Sequence, residues 1–238
     1  MNSEKFNDLI TDKGKYGFVE SSAGIEKYKI LFSFVSKNKL KIKRIASMGG
    51  GYFDYKILSF LFPKSYILTI NKNKADMKGC PNQKISDIEN DEIEIKNKFD
   101  LIFCADTIEH LINPDNFLKN VNNISNKGSV FILTTPNLAS WMNRLFLLFG
   151  YSPSNYDVSY QYKLGNPFAS QSSAGQKTVF TPRSLSELLQ KHGFKVIFRK
   201  GYGYTEKVKK MRIIRLLLNK ILPDSMKEGI FIASRKMK

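Results

Sequence analysis

Two runs of consecutive apolar residues, Leu101–Cys104 and Val130–Leu133, stand out along the chain. Each is hydrophobic at every position, which predicts strands covered by helices on both faces, as in a parallel sheet. Between them Asn113 is placed to cap a helix whose first residue is Pro114, where the missing N–H is not needed. Ile112 and Phe117 occupy the two positions of a hydrophobic staple. Phe117, Leu118, Val121 and Ile124 form an inward stripe at helical spacing, and Gly128 is expected to end the crossover. The pattern is a βαβ unit. Its first strand runs into the polar stretch Ala105-Asp106-Thr107-Ile108-Glu109-His110, and open parallel sheets bind ligands outside such carboxyl ends.

The same alternation of strand and helix patterns fills the chain on either side. Residues 1–40 form an N-terminal extension with one helical pattern, Ile25, Tyr28, Lys29, Leu31, Phe32 and Val35, lying on the domain or partly over its pocket. Ile42–Met48 reads as a strand, Gly49-Gly50-Gly51 as a turn, and Tyr52–Phe62 as a helix stopped by Pro63. A glycine turn between strand and helix lets backbone N–H groups approach a ligand. Ser65–Ile70 is the next strand, and a short third one within Cys80–Ile88 leads to Asp87. After the opening unit, residues 138–180 hold a helix with Leu138, Trp141, Met142, Leu145 and Leu148 on one face, then a lid-like loop. Phe180-Thr181-Pro182 repeats the cap, with Phe180 stapled to Leu185. Gly193–Lys200 is a strand, 205–223 a basic amphipathic helix, and Gly229–Ala233 a last strand. No repeat or linker divides the 238 residues, so a single domain is expected.

Composition adds one strong feature, 38 Lys+Arg against 21 Asp+Glu, a net charge of +17. Such an excess suits a polyanion or an anionic membrane surface, although scattered lysines also follow from compositional bias. Cys80 and Cys104 form neither a disulfide framework nor a metal knuckle, which fits a reducing cytoplasm. No His, Asp and Glu set has metal-ligand spacing. The start, MNSEKFNDLI, lacks the apolar core of a secretory signal, and no run has membrane-spanning length.

The segment FDLIFCADTIEHLINPDNFLKNVNNISNKGSVFILTTPN, with its EH and TPN at successive strand ends, resembles the class I, Rossmann-like S-adenosylmethionine-dependent methyltransferases. The resemblance runs from about Ile42 to Phe198 and includes FTPRSLSELLQKHGF. The segment NRLFLLFGYSP and the loop after it are similar to a subgroup near the ubiquinone-biosynthesis and glycan-associated O-methyltransferases. The resemblance implies a doubly wound α/β fold: a mostly parallel seven-stranded sheet, an antiparallel last strand and helices on both faces. It implies S-adenosyl-L-methionine as cofactor. Gly49 and Gly51 would receive its methionine portion, Asn71 its ribose, Asp87 and Ile88 its adenine, and Asp106 and Thr107 would line the site beneath the sulfonium. The family's acid before the glycine loop is Ser47 here, its ribose acid is Asn71, and Phe53 lies near the place of its third glycine.

Asp54 at the start of the following helix would repel a pyrophosphate, which argues against a nicotinamide dehydrogenase on the same fold. It is compatible with a ligand that carries an ammonium and a sulfonium. His110 is the histidine placed by the cleft, and Glu109 and His110 are the candidate catalytic pair. The other reading is that both satisfy loop backbone groups and shape the pocket. His192 is expected to be a favourable charge at a helix end. Tyr151, Tyr156, Tyr160, Tyr162 and Phe168 would line an acceptor pocket as a lid, or pack as an ordinary loop. The basic helix would lie on an anionic membrane or pack on the sheet. The expected function is methyl transfer to a small-molecule, glycan or lipid-linked acceptor at oxygen, in the cytoplasm or peripherally at the inner membrane face. An RNA methyltransferase and a non-catalytic scaffold are the alternatives.

Overall fold

The computed structural model describes residues 2–11, 22–159, 161–167, 175–203 and 212–237; of residues 22–24 and 212–216 it describes the backbone alone. A seven-stranded sheet has the order β3-β2-β1-β4-β5-β7-β6. Its strands are β1 (Arg44–Met48), β2 (Tyr66–Asn71), β3 (Gln83–Ile85), β4 (Phe99–Ala105), β5 (Ser125–Pro136), β6 (Phe194–Tyr202) and β7 (Gly229–Lys236). The pairs from β3 through β5 are parallel, and β7 runs antiparallel between β5 and β6. The strand order reverses between β1 and β4, which opens a crevice at their carboxyl ends.

Period-two alternation assigns every central strand to two cores. Leu101, Phe103, Val130, Ile132, Phe231 and Ala233 face helices α1 (Ser3–Thr11), α2 (Ser22–Asn38) and α3 (Tyr52–Leu61). Ile102, Cys104, Phe131, Leu133, Ile230 and Ile232 face α4 (Pro114–Ile124) and α6 (Pro182–Lys191). The doubly apolar runs in the sequence are therefore strands buried on both faces, as their composition requires. Asn113 and Thr181 cap α4 and α6 as expected, each side-chain oxygen accepting from a backbone N–H three residues on. Phe180 and Leu185 are both buried in one core.

Four local expectations are corrected. Helix α1, which buries Phe6 and Ile10, was not foreseen. Ile112 is 69% exposed, while its neighbour Leu111 is 7% exposed and packs in the core with Phe117, so the staple at Ile112 is not formed. Gly128, with φ 79°, lies inside β5, in the irregular stretch where the pairing jumps from Phe99–Ser125 to Leu101–Val130. Helix α5 (Trp141–Leu148) buries Trp141, Met142 and Phe146, and exposes Leu145 and Leu148. The partners of that buried face are Leu218 and Leu222, from the end of helix α7 (Arg212–Ile221) and the residue after it, and Met226 beyond. Of the described residues, no helix is long and apolar enough to cross a membrane.

Candidate functional site

The glycine turn after β1 is held by close packing on three sides. Gly49 has φ 68°, and a Cβ there would lie 2.4 Å from Thr107 Cγ2; one on Gly51 would lie 2.9 Å from the Asp76 carbonyl oxygen. Both positions thus exclude a side chain, the first also by its left-handed backbone. The Gly49 N–H donates to Ile70 O at 2.8 Å. Asn71, at the end of β2, donates from Nδ2 to the carbonyls of Gly49 and Gly50, each at 3.1 Å, and its Oδ1 accepts from Asn73 N at 3.0 Å. With both amide hydrogens committed, Asn71 keeps acceptor capacity only. Beneath the turn, the Ser47 hydroxyl is buried without a partner.

The end of β4 carries the charged groups. Asp106 adopts φ 47°, a left-handed conformation that Asp tolerates better than most residues. Its N–H donates to Thr134 O at 3.0 Å, and its Oδ1 accepts from the Thr134 hydroxyl at 2.8 Å. Its Oδ2 pairs with Lys27 Nζ at 2.8 Å, an ion pair whose side chains are 35% and 10% exposed respectively. Burial alone would raise the Asp106 carboxyl; the Lys27 ammonium and the Thr134 hydroxyl outweigh it and hold the group below its usual range. Burial likewise works against the Lys27 ammonium, but Asp106 and Asp54 raise its affinity for the proton. Asp54, which accepts from the Tyr28 hydroxyl, is raised by burial despite Lys27 and Tyr28.

Glu109 lies in the same cluster with a different outcome. It is 3% exposed, and its Oε2 accepts from the Thr135 hydroxyl at 3.0 Å. Burial first, and the Asp106 charge second, push its pKa from 4.5 up to about 8. Its backbone carbonyl accepts from Lys177 N at 2.7 Å and Thr178 N at 3.0 Å. His110 is exposed, with Nδ1 3.1 Å from the Gly175 carbonyl. Since a carbonyl only accepts, Nδ1 is the protonated nitrogen in this contact, which leaves Nε2 free to accept in the neutral ring. Both residues therefore fasten the returning arm of the long loop to the end of β4. His192 pairs with Asp115 at 2.7 Å beside the α6 terminus, away from this cluster.

At the end of β3, Asp87 is half-buried and serves its own turn, accepting from Glu89 N at 3.0 Å and from Asn90 Nδ2 at 3.1 Å. The burial that raises its pKa is outweighed by these hydrogen bonds, so the carboxyl sits below its usual range. Ile88 belongs to the α4-side core. The structure thus gathers Gly49, Gly51, Asp106, Thr107 and Glu109 at the carboxyl ends of β1 and β4, with Asn71 bracing the turn and Asp87 on the adjoining β3 end. In the long loop, a buried ion pair joins Lys163 to Asp157, and Gln176 N donates to Asp157 Oδ2 at 3.1 Å. A cleft of about 400 Å³ lies there, lined by Ile112, Tyr156, Asp157, Val158, Ser159 and residues 175–177. Tyr151 and Tyr162 are exposed. Tyr160 and Phe168, also expected in the lid, fall outside the described residues.

Lys27 is the site residue that sequence reasoning missed, Lys29 being exposed instead. The signal was present: Lys27, Leu31 and Phe34 are spaced i, i+4, i+7, so a lysine stood on the apolar face of α2. A cation at such a position needs a buried anion opposite.

Asp54, Asp106 and Glu109 set three carboxyls against the Lys27 ammonium, with the Ser47 hydroxyl unpaired below. This donor set fits a ligand bearing positive charge better than one bearing phosphates. Among the described residues, no group of three or more His, Cys, Asp or Glu could hold a metal ion.

Similar solved structures share the fold across nearly their whole length. An S-adenosylmethionine-dependent methyltransferase from Clostridium acetobutylicum superposes with a TM-score of 0.60 at 16% identity, covering 100% of both chains. The N-methyltransferase NodS from Bradyrhizobium japonicum, in complex with S-adenosyl-L-homocysteine, gives a TM-score of 0.56 at 11% identity over 99% of this chain and 98% of its own. The 1,6-didemethyltoxoflavin-N1-methyltransferase of Burkholderia thailandensis gives 0.56 at 11% identity, over 99% and 87%. No curated protein matches the sequence. The family model described as a methyltransferase domain matches residues 35–198, from the end of α2 into β6. The chain belongs to the methyltransferase domain family.

Proposed function

We propose that this methyltransferase acts on a hydroxyl of a small-molecule, glycan or lipid-linked acceptor, and that Glu109 takes the acceptor's proton. S-adenosyl-L-methionine is the methyl donor; when bound, it supplies a methyl carbon made electrophilic by a positive sulfur. The observation that carries the reading is the Glu109 carboxyl, buried at the end of β4 and pushed up to about 8. A general base works best when its pKa lies near the operating pH. Asp106 stays ionised through Lys27, so two carboxyls of one cluster hold different protonation states.

In this reading the Gly49–Gly51 turn and the Asp106–Thr107 corner hold the cofactor's methionine end. Asp87 and Ile88 meet the adenine, and Asn71 offers its remaining acceptor capacity to the ribose. Asp54 and Asp106 together outnumber the single Lys27 ammonium, and that balance favours the cofactor's positive charge. Glu109 and His110, through Lys177, Thr178 and Gly175, keep the loop arm against β4 and so keep water from the proton acceptor. His110 is a positioning residue here. The N-methyltransferases among the similar structures make an amine the second acceptor to test, with Glu109 receiving the proton its nitrogen releases.

The test uses the purified chain. Calorimetry with S-adenosylmethionine measures the cofactor, and transfer of labelled methyl to separate pools of hydroxyl acceptors, amine acceptors and RNA measures the acceptor. Cofactor binding with label in the hydroxyl pool, lost in Glu109→Gln, supports the proposal. No binding heat at about 1 mM cofactor, an affinity of roughly −4 kcal/mol, favours the non-catalytic scaffold. Label confined to RNA or to amines overturns the hydroxyl assignment.

A further inference from the structure

Helices α5 and α7 pack together through Trp141, Met142, Phe146, Leu218 and Leu222, away from the two main cores. Outside that seam they leave an unusual set of side chains in water. Leu148 is 75% exposed, Phe149 70% and Ile221 78%, with Leu145, Leu147 and Leu217 also open. Large apolar side chains at this density are not ordinary surface, since scattered single exposures are the norm and contiguous apolar patches mark interaction sites. Leu145, Leu148 and Phe149 are spaced i, i+3, i+4, as are Leu217 and Ile221 at i, i+4, so each set shares one side of its helix.

The two segments that carry this surface are basic. Residues 207–222 contain six Lys or Arg and no Asp or Glu, and residues 138–153 contain Arg144 and no acid. Lys220 and Arg144 are both exposed, and neither pairs with a carboxylate among the described residues. The positions of residues 207–211 lie outside the described residues, but they lead directly into α7.

We propose that the α5–α7 surface docks the enzyme on an anionic lipid bilayer. A bilayer interface offers anionic headgroups over acyl chains, and this surface offers the exposed Arg144 and Lys220 beside leucine, isoleucine and phenylalanine. A second copy of the chain is a poor occupant, because apposing two such surfaces would bring like charges together. A polyanion without an apolar layer would leave the leucines and phenylalanine in water. The inference goes beyond the methyl-transfer reading and stands without it.

The experiment is flotation of the purified full chain with vesicles of phosphatidylcholine alone, and with phosphatidylcholine containing phosphatidylglycerol. Each basic side chain near an anionic surface strengthens binding about five-fold, so the anionic vesicles should retain at least that much more protein. Leu148→Ser combined with Phe149→Ser should lower the bound fraction about ten-fold or more, the loss of two inserted side chains. Both residues are exposed, so the unfolding midpoint and the calorimetric binding of S-adenosylmethionine should match the parent chain. Equal retention by both vesicle types overturns the proposal. So does a double variant that binds like the parent, which would mean diffuse charge alone. Light scattering that shows a dimer dissolved by the double variant would instead assign the surface to a second copy. Calorimetry reports separately on the methyl-transfer reading.

Discussion

The carboxyl ends of β4 and β3 each present an acid to the same side of the sheet, and they treat it in opposite ways. At β3, Asp87 is half-buried and ringed by backbone and side-chain donors from its own turn, so its carboxyl is held below its usual range. At β4, Glu109 is sealed against Asp106 and Thr135, and burial pushes it up to about 8. Asp106, three residues away, escapes the same rise because Lys27 reaches it from α2. One end stabilises a turn with an ordinary anion. The other holds a carboxyl that exchanges its proton near neutrality. Local hydrogen bonds make the first, and long-range burial against a second charge makes the second.

That contrast can be broken at several points. Glu109→Gln should have the largest effect, lowering methyl transfer about 10²- to 10⁴-fold, the usual worth of a positioned base. The same variant sharpens the contrast through stability. Because the folded pKa of about 8 lies above the ordinary 4.5, the folded chain binds the extra proton between these values, and stability falls as pH rises through that window. Relative to the parent, Glu109→Gln should therefore gain stability on moving from about pH 4.5 to about pH 8, by on the order of a few kcal/mol. Urea titrations at a series of pH values measure it.

Lys27→Met removes the cation that faces Asp106 and Asp54. Breaking a buried pair on one side costs about 3–5 kcal/mol, and the part-exposed Asp106 reduces this to roughly 2–3 kcal/mol, read as a lower urea midpoint. Lys27→Arg should recover part of the loss.

At the β2 and β3 ends the effects are smaller. Asn71→Asp restores the acid that the family resemblance would place there, yet it turns a carboxylate towards the carbonyls of Gly49 and Gly50 and removes two donors. It should cost about 1–3 kcal/mol and weaken cofactor binding in calorimetry. Asp87→Asn should cost no more than about 1 kcal/mol. The Asp87 contribution is present above the ordinary value of 3.8 and is lost as pH falls below it through the lowered folded value. Parent and variant should therefore converge in stability at acid pH.

What could be seen in the sequence was what local rules encode. The strands at Leu101 and Val130, the caps at Asn113 and Thr181, and the glycine turn each follow from residues within a few positions. The failures have physical reasons too. Helix α1 offered only one turn's worth of pattern, Phe6, Leu9 and Ile10, too short to separate from a loop. The staple was misplaced by one residue because Leu111 and Ile112 are equally apolar and only the turn after β4 decides which points inward. The α5 face was misread because its covering residues, from Leu218 to Met226, come from far along the chain. The Lys27–Asp106 pair spans 79 residues. Asp106 and Glu109 could be named from their strand end, but the state of each depends on α2, where the lysine on the apolar face was legible and the acid it meets was not.

The most direct test of this contrast is a carboxyl-carbon NMR titration of the folded chain, with Glu109 assigned by the signal missing from Glu109→Gln. The structure predicts a Glu109 midpoint near 8, with Asp106 and Asp87 both titrating below 3.8. A Glu109 midpoint near its ordinary 4.5 would contradict the account, because the carboxyl would then be an ordinary anion, poorly matched to taking a proton near neutrality.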